Sequence, residues 1–198
     1  MIELDYNKAE NTLFFHGSDC KFNKADVNHT VGYKDFGKGF YLGPHYGPAR
    51  DWAIKYGRRE KGYIYYYLIS REKYNSFNVH RFKNASDKWL DFVIANRDGK
   101  TLEEYKDFDI ISGDTADDHA QVEIEDYLRT ISSPLLTTQA IEELRKALLH
   151  KLKIDRLPFQ VCVKNNRCLN HFKLVMVVEV DKYGNERIVY KEGKSWKA

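Results

Sequence analysis

Residues 12–16 run Thr, Leu, Phe, Phe, His and meet Gly17-Ser18, the composition of a short strand closed by a turn. A polar, turn-rich stretch, 19–35, separates it from Phe36-Gly37-Lys38-Gly39-Phe40-Tyr41-Leu42. Two glycines just ahead of an aromatic run predict a tight turn feeding a second short strand. Gly43-Pro44 and Gly47-Pro48 announce a helix with Pro48 in its first turn. Ala49, Trp52, Ala53 and Tyr56 then recur at intervals of three and four, and Gly57 or Gly62 ends the pattern. The run Tyr63-Ile64-Tyr65-Tyr66-Tyr67-Leu68 predicts a strand, with a weaker one over 76–82. Ser86 is placed to cap a helix reaching 96, whose Trp89, Leu90, Val93 and Ile94 form one apolar stripe. Residues 108–112 read as a strand ended by Gly113, and Asp117-Asp118 open a helix reaching 129. The clearest helix covers 137–153, with Ile141, Leu144, Leu148 and Leu152 on one face. Beyond Pro158 follow a buried strand over 159–163, a short helical piece over 166–172, and a hairpin of 174–180 and 187–190. Strands gather towards both ends and helices between, which gives an α+β class and one domain over 1–198, without repeat or linker.

Composition narrows this picture. With 198 residues the chain is long enough to bury a full core without disulfide or metal staples. Its three cysteines, Cys20, Cys162 and Cys168, read as buried or half-buried thiols, since no second Cys or His pair stands at zinc spacing. The 32 Lys and Arg against 29 Asp and Glu leave +3, which excludes a strongly basic surface and permits only a local phosphate-binding patch. No apolar run approaches the ~20 residues of a membrane span, and the N-terminus lacks the basic-then-apolar order of a signal peptide. A cytoplasmic protein that does not engage a membrane is the expectation.

The candidate chemistry lies in three short pieces: Phe15-His16-Gly17-Ser18, Phe36-Gly37-Lys38-Gly39-Phe40-Tyr41-Leu42 and Ala49-Arg50-Asp51-Trp52-Ala53. A histidine beside a glycine at a strand end offers one imidazole and a backbone that a flat amide can approach closely. Tyr41 and Trp52, on a strand and the next helix, can converge as two aromatic walls, each worth about 0.5–1.5 kcal/mol beyond simple burial. Such walls, with an open backbone amide and a His, suit a nicotinamide and its ribose. Taken singly, each residue reads as an ordinary core or turn residue; the order and spacing together are the signal.

His16-Gly17-Ser18 followed by Phe36-Gly37-Lys38-Gly39-Phe40-Tyr41 resembles the signature of the poly-ADP-ribose polymerase branch of the ADP-ribosyltransferases. The wider pattern adds Trp89-Leu90-Asp91-Phe92, Asn96-Arg97, Asp109-Ile110-Ile111-Ser112-Gly113 and Ala116-Asp117-Asp118. With it the chain is similar to an uncharacterised bacterial family of that superfamily. The resemblance implies two packed, mostly antiparallel sheets forming an NAD cleft, with helices inserted between. It implies that His16 bonds a hydroxyl of the nicotinamide ribose, that the Gly17 backbone holds the carboxamide, and that Ser18 belongs to the same cofactor-binding turn. Tyr41 would stack on the nicotinamide, and Trp52 stands where the polymerases carry a second stacking tyrosine. Ala49 falls where they carry a serine, so one hydrogen bond is missing.

The third element of that signature, a glutamate opening a late strand, aligns with Gln160. Glutamine can hydrogen-bond a ribose, but it carries no charge and is no general base. Polymer elongation is therefore not expected. What remains open is single transfer to an acceptor that is already a good nucleophile, another acid in the cleft, or NAD binding without chemistry. Asp109, Asp117, Asp118 and His119 are the candidate substitutes, with helix capping as the plainer role for one of the two adjacent aspartates. His29 and His45 are expected in solvent, and Arg58, Arg59 and Lys61 form a basic helix end able to meet a pyrophosphate or a nucleic-acid backbone, with a solvated end complementing the helix dipole as the plainer reading. The resemblance thus implies an NAD-consuming transferase that modifies a macromolecule, as a toxin or defence factor with a possible antitoxin partner, and the near-neutral charge favours a protein acceptor over a nucleic acid. The alternative is a silent NAD or ADP-ribose binding module acting through a partner protein.

Overall fold

The computed structural model describes residues 10–30, 34–55, 60–116, 118–154 and 157–192. Its strands are β1 (Asn11–Ser18), β2 (Phe40–Leu42), β3 (Lys61–Ser70), β4 (Val79–Arg81), β5 (Ile110–Asp114), β6 (Phe159–Val163), β7 (Lys173–Asp181) and β8 (Glu186–Lys191). Its helices are α1 (Tyr46–Lys55), α2 (Arg71–Asn75), α3 (Asp87–Arg97), α4 (Asp118–Ile131), α5 (Thr138–Ile154) and α6 (Asn166–Leu169). The strands form two four-stranded sheets in the orders β1-β3-β7-β8 and β2-β6-β5-β4. Every pairing is antiparallel except β4 with β5. The α+β class holds, with two mostly antiparallel sheets. No described helix is long and apolar enough to cross a membrane.

Strand alternation sorts side chains into three cores. Between the sheets lie Phe14, Tyr65, Tyr67, Ile69 and Val177 from one and Phe40, Leu42, Ile110, Val161 and Val163 from the other. The outer face of the first sheet packs Ile64, Met176, Val178 and Val180 against Ala49 and Ala53 of α1. The outer face of the second sheet sets Ile111 and Cys162 against α3, α4 and α5 through Trp89, Leu90, Val93, Ile124, Leu149 and Leu152.

Two expected strand ends move for one reason. Gly17-Ser18 and Gly113 stay inside β1 and β5 because ladder partners exist there: Gly17 opposite Ile64, Ser18 opposite Tyr63, and Gly113 opposite Gln160. The weak strand over 76–82 shortens to Val79–Arg81. One turn of helix, α2, precedes it, started by the Ser70 hydroxyl accepting from the Lys73 N–H. Tyr56, Gly57, Arg58 and Arg59 lie outside the described residues, so the basic helix end is not placed.

The sheets touch edge to edge at one point. Phe15 and Gly43 exchange both backbone hydrogen bonds at 2.8 Å, and among the described residues no ladder joins β1 to β2 beyond this bridge. From Gly43 back towards Phe40, the two strands part. His16 and Gly17 of β1 and Tyr41 of β2 border this split.

Candidate functional site

His16 spans the split. Its Nδ1 lies 2.7 Å from the Tyr41 carbonyl oxygen. A carbonyl only accepts, so Nδ1 carries the proton and the neutral ring keeps Nε2 as an acceptor. The ring stacks on Phe40, centroids 4.3 Å apart, and meets Phe22 edge-on at 5.6 Å. Phe22 in turn stacks on Tyr65 at 3.9 Å, and the Tyr65 hydroxyl accepts from the Phe22 N–H at 2.6 Å. Burial among these rings drives the His16 pKa from 6.5 to about 4, against the upward pull of its bond to Tyr41. His16 is therefore a neutral hydrogen-bonding group at physiological pH.

This shift adds to the acid sensitivity of the fold. Between pH 6.5 and about 4 the unfolded chain holds a proton on this histidine that the folded chain refuses. The stability it contributes is complete above the upper value and is lost as pH falls through the lower one. In urea unfolding, the wild-type midpoint should fall between about pH 7 and about pH 4 more steeply than that of His16→Gln. Equal slopes would remove His16 as the cause.

Gly17 follows on β1. Phe15 spends its N–H and C=O on Gly43, and an antiparallel strand alternates the direction of these groups. The N–H and C=O of Gly17 therefore point away from β3 and into the split. Its lack of a side chain serves packing rather than open approach. A Cβ there would stand 2.0 Å from the Ala49 carbonyl oxygen and 3.0 Å from Trp52 Cβ, so α1 already fills that space. The expected bare backbone thus turns its edge to the split and is covered on its outer face. Ser18 is committed elsewhere: its hydroxyl donates to the Cys20 carbonyl at 2.8 Å and accepts from the Cys20 N–H at 3.2 Å.

On the outer side of the split Trp52 is 47 % exposed, with the Lys34 ammonium 5.3 Å from its ring centroid. Tyr41 belongs to the same outer side, because Phe40 and Leu42 beside it point into the inter-sheet core. Its hydroxyl donates to the Gly37 carbonyl at 2.6 Å and accepts from the Phe36 N–H at 3.1 Å. Burial, then the nearby Cys162 and Asp35, raise this phenol well above its ordinary range, so it stays protonated. The segment 34–37 links the two rings, through Lys34 to Trp52 and through Phe36 and Gly37 to Tyr41.

Gln160 shares that outer side, two residues before Cys162, the ladder partner of Tyr41. The carboxylate in contact with it is Asp35, which was not among the expected substitutes. Asp35 is 8 % exposed, and its Oδ2 lies 3.2 Å from Gln160 Nε2. The same Oδ2 accepts from the Ala116 N–H at 2.8 Å, while Oδ1 accepts from Arg97 Nε at 2.8 Å and Nη2 at 2.6 Å. Arg97 also donates to the Ala116 carbonyl at 2.9 Å. Arg97 and Ala116, from separate pieces of the sequence pattern, thus meet at a residue that the sequence places inside a polar spacer.

Among the expected substitutes, Asp109 lies away from this point. Asp109 precedes β5, roughly 13 Å along the strand from Gly113, which pairs with Gln160. There it accepts from the Asn78 N–H, Asn165 and Arg167. Burial pushes its carboxyl up, yet the bonds from Asn165, the Asn78 N–H and Arg167 leave it below the ordinary range. This is a fastener between β5 and α6, not a cleft acid. Asp117 lies outside the described residues, Asp118 begins α4, and His119 is exposed on that helix. His29 and His45 are exposed as expected, Lys61 pairs with Glu179 at 3.0 Å, and Ala49 is buried on the inner face of α1. Cys162 and Cys168 are buried free thiols, and Cys20 is half-buried and free.

No curated protein and no solved structure matches the chain. A family model described as "Protein of unknown function (DUF3990)" matches residues 12–174, from the start of β1 to the beginning of β7 and across the whole split, and the chain therefore belongs to that family.

Proposed function

We propose that the split between β1 and β2 binds the nicotinamide riboside end of NAD, and that the protein transfers ADP-ribose from NAD to an acceptor. The observation that carries this reading is the Gly17 peptide edge facing the split beside the neutral His16. A primary carboxamide needs one donor and one acceptor at peptide spacing, which Gly17 N–H and C=O supply. His16 Nε2 accepts from a ribose hydroxyl. Trp52 and Tyr41 stand on the outer side, and the likeness of His16-Gly17-Ser18 and Tyr41 to the ADP-ribosyltransferase signature supports the same assignment.

In the reaction the bond from ribose C1′ to the pyridinium nitrogen breaks, and its electron pair leaves with nicotinamide, which departs neutral. An acceptor lone pair then forms the new bond at C1′. Charge develops on the ribose, and groups fixed in a low-dielectric cleft act most strongly on such charge. Gln160 contributes a carbonyl oxygen and no base. The acceptors that suit this site arrive already deprotonated, such as a protein carboxylate, and single modification follows rather than chain growth. A toxin or defence role with an antitoxin partner belongs to this proposal.

The second reading, a silent NAD-binding module, is favoured by the same uncharged Gln160 and by the missing hydroxyl at Ala49. Calorimetry with NAD, run beside an assay for released nicotinamide, separates them. The transferase binds and releases; the module binds only. His16→Ala should weaken NAD binding about 3- to 10-fold, the worth of one hydrogen bond. An unchanged affinity removes His16 from the site.

A further inference from the structure

Asp35 has both oxygens filled by donors: Arg97 twice on Oδ1, Ala116 N–H and Gln160 on Oδ2. An ionised carboxylate only accepts, so the atom of Gln160 facing it is the NH2 group. The amide plane is thereby fixed with Oε1 turned away from Asp35. An amide whose N–H is bound to an anion also carries more negative charge on its oxygen.

We propose that Asp35 is a positioning residue that locks Gln160 with its carbonyl oxygen presented to the ligand, so that glutamine, and not glutamate, is the residue matched to this site. The proposal rests on the NAD reading above for what Oε1 meets, but the lock itself does not. A glutamate at position 160 would set two carboxylates about 3 Å apart, where like charges resist joint ionisation. The described groups facing this point are the Arg97 guanidinium from α3, the Tyr41 phenol from β2, the Cys162 thiol from β6 itself, the Lys164 ammonium just after β6, which donates to the Phe36 carbonyl at 2.6 Å, and the Ala116 N–H ahead of α4. Of these Arg97 and Lys164 are cationic; Asp35 already holds the first, and the second is bonded to the Phe36 carbonyl. Gln160 is therefore no weakened copy of the signature glutamate; the acid has moved to position 35 and acts through the amide.

The test is a charge transposition read by nicotinamide release at neutral pH. Gln160→Glu, which restores the signature residue, should be at least about tenfold slower than wild type. Asp35→Asn/Gln160→Glu should recover most of that loss, because an amide at position 35 then donates to a carboxylate at position 160. A Gln160→Glu enzyme as fast as wild type or faster overturns the proposal. The lock is read separately by side-chain amide NMR of the folded wild-type protein. Slow solvent exchange of the Gln160 NH2 is expected, and exchange as fast as in free glutamine overturns the proposal whether or not nicotinamide is released. Silence in the release assay with a slow-exchanging Gln160 amide would sink the transferase reading while leaving the lock standing. The NMR readout also decides the case if Asp35→Asn does not fold.

Discussion

Arg97→Met is expected to lower folding stability by about 3–5 kcal/mol, the cost of stranding one partner of a buried ion pair. The Asp35 side chain is only 10 % exposed, and Arg97 supplies two of its four donors. The change also frees the Ala116 carbonyl that Arg97 caps. Urea unfolding measures it as a lower midpoint at unchanged slope. Asp35→Leu/Arg97→Met should cost less than the sum of the two single changes, because the double variant leaves no unpaired charge. A loss under about 1 kcal/mol for Arg97→Met would mean that this pair is solvated like an ordinary surface bridge.

Gly17→Ala carries the other large effect. Its Cβ would meet the Ala49 carbonyl oxygen at 2.0 Å, and a backbone atom cannot turn aside as the end of a side chain can. Gly62 makes the matching contact on β3, where a Cβ would stand 2.1 Å from the Ala53 carbonyl oxygen. The two glycines let α1 lie flat on the sheet with Trp52 at the split. Lifting the helix should cost about 1–3 kcal/mol and abolish NAD binding in calorimetry. Gly47→Ala, on the same helix with open space around it, should instead be neutral or stabilise by about 0.5–1 kcal/mol. If Gly17→Ala binds NAD as the wild type does, α1 does not define the site.

The sequence is most readable where local chemistry decides the outcome. Residues 159–163 form a strand with the expected bounds because a five-residue run, apolar but for Gln160, between Pro158 and a polar loop fits little else. Ser86 caps α3 through its hydroxyl and the Trp89 N–H, as its place before an apolar stripe implies. His16 and Gly17 reach one split because neighbours on a strand cannot separate. What depends on distant partners is not readable. The pairing of β2 with β6 joins Tyr41 to Cys162 across most of the chain. Asp35 gives no local sign of its role, since Arg97 lies 62 positions away and Gln160 lies 125 away. At Gly17 the sequence suggests room for a ligand, and only the packing of α1 shows that a carbonyl takes it. The five residues of α2 carry no apolar period at all, so their one turn rests on the Ser70 cap.

A titration of the ¹⁵N-labelled protein with NAD, followed at the backbone amide of Gly17, puts the central assignment to its most direct test. The account predicts that this resonance moves furthest downfield as the carboxamide oxygen takes its hydrogen, with His16 shifting beside it and the amides of α5 still. A Gly17 signal that stays in place while NAD saturates the protein would contradict it.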